Sequence, residues 1–205
     1  MQHESVQAAK RPYRKRQRAE SEERTRQRIT EAAVALHQTV GPARTSVKSV
    51  AERAGVDRAT VYRHFPDEQA LFDACTTHYY ARHPMPDPEK WRAITEPEAR
   101  LEAALTELYG WFAETEQMLN SGIRDIESVP AGTRAAFLGY FDTVQAALMT
   151  GRRQRGRPRA RVAAAIALAI SFPTWRTLVR EQQLRTPDAV ELMTAMVKAS
   201  APLGG

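Results

Sequence analysis

Side chains able to do chemistry on a small substrate are thinly spread in this chain of 205 residues. His3, His37, His64, His78 and His83 stand apart without metal-ligand spacing. Cys75 is the one thiol, so neither a disulfide framework nor a cysteine-based zinc site is available. No His-Glu-x-x-His, Gly-x-Ser-x-Gly, P-loop or dinucleotide-binding glycine pattern occurs. No catalytic residue, metal ligand or cofactor is assigned on this basis, and an enzyme is not expected. What does cluster is a set of hydrogen-bonding side chains, Arg58, Thr60, Tyr62, Arg63 and His64, between Asp57 and Phe65. On one short helix such groups can hold phosphates and meet base edges.

To be useful there, that helix must be held at a fixed angle to its neighbour, and the preceding residues supply the means. In "SVAERAGVDRATVYRHF" a small residue, Ala51, stands where two helices would touch. Gly55 follows where the turn requires positive φ, and Val61 locks the second helix, with Val50 and Val56 filling the wedge. A Cβ at Gly55 would cost roughly 1–2 kcal/mol in left-handed geometry. Thr45 or Ser46 caps the helix before the turn and Asp57 the one after it. An earlier helix is expected from about Glu22 to Thr39, closed by Gly41-Pro42, and a fourth opens at Pro66-Asp67. The pattern predicts a helix-turn-helix.

The charge points the same way. Of 30 Lys/Arg and 24 Asp/Glu, residues 1–28 hold nine and four, which leaves the remaining chain nearly neutral. A basic arm on a neutral body suggests a polyanion met at one end, although a solvated tail would look the same. The longest uncharged run, Val162 to Trp175, is shorter than the roughly 20 residues of a membrane span and contains Pro173, so no membrane is expected. Without a secretory leader, a cytoplasmic, nucleoid-associated location is expected.

"TSVKSVAERAGVDRATVYRHFPDEQALF" resembles the DNA-binding module of the TetR family of bacterial repressors, whose signature has a Gly-Val turn followed by Thr-x-Tyr-x-His-Phe. The likeness is close over residues 22–80. The helical patterns make the fold all-α, and the charge marks 1–20 as a flexible basic arm; the resemblance implies a homodimer with a helix-turn-helix domain over 21–82 and a helical effector-binding and dimerisation domain over 83–205. It assigns Thr45 and Ser46 to phosphate contacts, Lys48 to a base or phosphate, and Thr60, Tyr62 and His64, with Arg58 and Arg63, to the recognition helix. The partners implied are a double-stranded palindromic operator and a small, largely apolar effector. Two departures stand out: Ala59 replaces a frequent glycine, and Glu68 a frequent lysine, which Lys10, Arg11, Arg14, Lys15, Arg16 and Arg18 of the arm could offset. A nucleoid-type binder without sequence preference is the alternative.

Beyond the module, the three prolines of His83–Glu89 break the chain, and Thr95-Glu96-Pro97-Glu98 reads as a capping box for a long helix. Helices are expected around Phe137–Leu148, from about Ala160 to Gln182 with a kink at Pro173, and after a Thr186-Pro187-Asp188 cap. Aromatic and apolar residues at helical spacing, Tyr109, Trp111, Phe112, Met118, Phe137, Tyr140, Phe141 and Trp175, are the pocket candidates, about a third of them expected to line a cavity and the rest to be core. Ala163, Ala164, Ala167 and Ala169 would let helices approach closely, and with Val190, Met193, Met196 and Val197 they mark a dimer seam. Cys75 is read as core. Arg155-Gly156-Arg157-Pro158 resembles an AT-hook core, but with 25 arginines against five lysines a solvated loop is the preferred reading.

Overall fold

Helical periodicity dominates the chain because its apolar residues recur at three- and four-residue intervals. The computed structural model describes residues 4–201, with side chains from residue 15 onward, and no strand occurs among them. Around a first core lie α1 (Glu4–Thr39), α2 (Val47–Ala54), α3 (Arg58–His64) and α4 (Glu68–Arg82). A second core is built from α5 (Pro88–Arg92), α6 (Pro97–Arg124), α7 (Ala131–Met149), α8 (Gly156–Ala169), α9 (Phe172–Arg176) and α10 (Thr186–Ser200).

Helix α6 is the spine of the second core. Leu101, Ala104, Leu105, Leu108, Tyr109, Phe112 and Leu119 are buried along it, and Tyr109 donates its hydroxyl proton to the Ala169 carbonyl at 2.9 Å. Its C-terminal end is bolted to the first unit. Ser121 Oγ donates to the Gln38 carbonyl at 2.8 Å, and Arg124 Nη2 to the Val40 carbonyl at 2.9 Å. The Ala43 amide donates to Asp125 Oδ2 at 3.2 Å. Gly41 turns the backbone at this joint with φ +91.

Several expected boundaries move. The helix expected from Glu22 begins at Glu4 and takes in the basic segment expected as a flexible arm. Arg, Gln, Glu and Ala are strong helix formers there, and Arg16–Glu20 and Arg18–Glu22 pair one turn apart. The arm residues Lys10, Arg11 and Arg14 lie outside the described side chains. Thr95 does not cap α6: Glu96 occupies the cap position without a side-chain bond, and Pro97 starts the helix. The helix expected over Ala160–Gln182 starts earlier, at Gly156, and breaks at Ile170-Ser171 rather than kinking at Pro173. Ser171 caps α9, where Pro173 lies in the first turn and sacrifices no hydrogen bond. A π-turn over Thr177–Glu181 follows, and the axis bends by 59° across the break. No single described helix is long and apolar enough to cross a membrane.

Candidate nucleic-acid interface and adjoining cavity

The helix-turn-helix angle is set by a small core. Val50, Ala51, Ala54 and Val61 are buried against Ile29 and Ala33 of α1, with Phe65 and Leu71 closing the far side. Gly55 ends α2 at φ 66 and ψ 40, the left-handed geometry expected of it, and its amide reaches the Ala51 and Glu52 carbonyls. Asp57 then caps α3 by accepting from the Thr60 amide at 2.6 Å. That bond favours the ionised carboxylate and holds its pKa below the ordinary value. Arg26 of α1 ties down the other end of α3: its Nη1 donates to the His64 carbonyl at 2.7 Å and its guanidinium lies over the Phe65 ring at 4.3 Å.

Held this way, α3 presents Arg58, Tyr62 and Arg63 outward, and Tyr62 is one of the most exposed large hydrophobic residues at 45%. Thr60 is half-buried beside them. Lys48 extends from α2 into solvent, 3.8 Å from Glu52. Ser46 caps α2 by accepting from the Ser49 amide, and Thr45 donates to the Gly41 carbonyl at 2.9 Å, so both stand at the α2 N-terminus, where the helix field favours a phosphate. His64 departs from expectation. It is half-buried and its Nε2 is enclosed without a hydrogen-bond partner, so the ring faces the protein instead of joining the outward set.

Behind α4 lies a cavity of about 430 Å³. His37, Cys75, Tyr79 and Leu119, all buried, form its floor, while Asp73, Thr77 and Gly132 at its mouth are exposed. Of the aromatic and apolar residues predicted for a pocket, Met118 and Phe137 line it. Tyr109, Trp111, Phe112, Tyr140, Phe141 and Trp175 do not. Phe112 packs instead among Phe141, Phe172 and Trp175, with ring centroids 6.3, 5.6 and 6.0 Å away. Trp111 Nε1 donates to the His83 carbonyl and Tyr140 to the Pro86 carbonyl, which spends their polar ends on internal backbone.

The sequence reading missed His37 and Phe72, which stack at 4.5 Å between α1 and α4 on the cavity wall. A histidine near a helix end carries no signal of this. Burial lowers the His37 pKa to about 4, so the ring is neutral at pH 7. Burial also pushes the Cys75 thiol up to about 12, which agrees with its reading as core. The charges at the rim are occupied: Gln69 donates to Asp73 at 2.7 Å, and Arg134 donates to Glu127 at 2.9 Å.

The described residues thus form a helix-turn-helix unit fastened to a second helical body with its own core. Residues 29–75 match the family model described as bacterial regulatory proteins, tetR family. That segment is a tetR-family DNA-binding module, which makes this part of the chain similar to bacterial DNA-binding transcriptional regulators. Among solved structures it is similar to HlyIIR, a hemolysin II transcriptional regulator, at 19% identity over 85% of this chain and 97% of that one, with a TM-score of 0.62. It is similar also to NalD of Pseudomonas aeruginosa, the secondary repressor of the MexAB-OprM multidrug efflux pump. There the identity is 20%, over 90% of this chain and all of the other, with a TM-score of 0.59. A tetR-family regulator from Streptomyces coelicolor matches at 18% identity over 87% and 80% of the two chains, TM-score 0.59. At such identities the likeness is one of fold. No curated protein sequence matches the chain.

Proposed function

We propose that the protein is a homodimeric repressor, acting at the nucleoid in the cytoplasm, that binds a two-fold operator and lets go when a small, largely apolar molecule fills the cavity behind α4. The observation that carries the reading is that α1 and α4 belong to the reading head and to the cavity at once: His37 and Phe72 stack across the cavity wall. A ligand there can release DNA only by its difference in affinity between two arrangements of these helices. Dimerisation is supported by an apolar stripe left exposed on neighbouring helices, with Ala164, Ala167 and Leu168 on α8 and Leu192 and Met196 on α10. Two subunits would set their recognition helices roughly 34–36 Å apart, one turn of DNA.

Selection of bound fragments from random genomic DNA tests the reading and yields the operator. Tyr62→Ala or Lys48→Ala should then weaken operator binding by about 1–3 kcal/mol in a gel shift while the circular-dichroism spectrum stays unchanged. Wild-type affinity in both variants would remove α3 as the reading helix. Equal affinity for selected and random DNA would favour a nucleoid-type binder, because a specific regulator keeps a large ratio between the two.

A further inference from the structure

Arg153, Arg155, Arg157, Arg159 and Arg161 place five exposed cations in the α7–α8 connection and the first turns of α8. Among the described residues no carboxylate pairs with any of them, since the nearby Glu98 is taken by the buried Arg152 at 3.2 Å. The chain turns at Gly156 with φ +57 and enters α8, whose first turn has no acidic residue and no side-chain cap. The uncapped amides therefore add to the same positive field. Arg157 and Pro158 are already helical, so this is not an extended minor-groove peptide.

The position of this corner matters as much as its charge. Arg152 also donates to the Pro97 carbonyl at 3.3 Å, which fixes the corner at the N-terminal end of α6. The opposite end of α6 is the one bolted to α1 through Ser121 and Arg124. A helix of 28 residues at 1.5 Å each spans about 42 Å. Duplex DNA is stiff over about 150 base pairs, so a segment seated on α3 cannot also turn onto this corner.

We propose that the arginine corner is a second, sequence-independent surface for duplex DNA, so that a molecule holding one duplex on α3 can hold another at the far end of its body. Guanidinium groups are weakly hydrated and meet phosphates with two parallel hydrogen bonds, which suits a backbone read only as charge. No aromatic side chain is interleaved between Arg152 and Arg161, so the stacking platforms of a single-strand site are missing. Large apolar anchors of the kind a membrane surface takes up are missing there too. The remaining polyanion is the one this regulator already works on.

The test uses the full chain on bead-bound duplex carrying a selected binding site, challenged with labelled duplex of random sequence at about 0.1 M salt. Wild-type protein should capture the labelled duplex. The fourfold variant R153Q/R155Q/R157Q/R161Q, with an unchanged circular-dichroism spectrum, should stay on the beads with wild-type affinity and capture at least tenfold less. The slope of log capture against log salt should fall by about 0.9 for each phosphate that the variant no longer neutralises. Undiminished capture by the variant would overturn the proposal, because the reading heads or the N-terminal cations would then be the bridge. So would wild-type protein that holds no second duplex yet binds anionic phospholipid vesicles through the same arginines.

Discussion

Replacing His37 with phenylalanine should make the protein more tolerant of mild acid. His37 lies in the last turn of α1 at 5% exposure, stacked on Phe72 of α4, and burial brings its pKa from 6.5 to about 4. The unfolded chain keeps a value near 6.5. Between the two, the unfolded state binds a proton that the folded state refuses, so stability falls as the pH drops through that window. The whole gap is worth about 3 kcal/mol, and about 2 kcal/mol of it is already lost at pH 5. Nothing at the cavity wall would shelter a new imidazolium, because Asp73 and Arg134 are opposite in sign and each has a partner. Phenylalanine keeps the stacked ring and removes the proton site. Urea unfolding of both proteins at pH 7.5 and pH 5.0 checks this, and carboxylates common to both cancel in the comparison. The wild type should lose about 2 kcal/mol more than the variant between these values. Equal losses would refute the neutral, buried assignment of His37.

Charging the proposed seam with Ala167→Glu should break the dimer and abolish tight operator binding together, although no DNA contact has been touched. Analytical ultracentrifugation beside a gel shift decides it, and a folded monomer binding the full operator at wild-type affinity would sink the dimer-based mechanism. Two glycine substitutions should separate backbone strain from steric collision. At Gly55, φ is +66 and a new Cβ meets nothing within 4 Å, so Gly55→Ala should cost only about 1 kcal/mol. At Gly41, φ is +91 and the Cβ would run into the Arg124 guanidinium and the Asp125 carboxylate. Gly41→Ala should therefore cost about 2–4 kcal/mol, because it strains the backbone and disturbs the joint between head and body. Similar melting temperatures for the two variants would contradict that ranking.

The reading head was legible in the sequence because everything that builds it is local. Asp57 caps a helix three residues away, Gly55 supplies its own left-handed turn, and Ala51, Val50 and Val61 meet across one short connection. Each of these devices works through residue type and spacing, which a sequence displays directly. The cavity was not legible in the same way. Tyr109, Trp111, Phe112 and Met118 share α6 and a similar apolar character, yet only Met118 turns toward open space. Which face borders a void is decided by how α4 and α7 lie against α6, and aromatic spacing is the same for a packed core and a cavity wall. His64 makes the point inside the head itself. Its place in the motif predicts an outward ring, but the end of α3 is drawn onto α1 by Arg26 and Phe65, and the imidazole goes in with it. The arginine corner had the reverse history: its charge was plain in the sequence, whereas its lack of partners and its distance from the reading head came only from the pairing of Arg152 with Glu98 and the length of α6. Local chemistry sets helices, caps and turns, and the packing of distant segments decides which of their faces remain free.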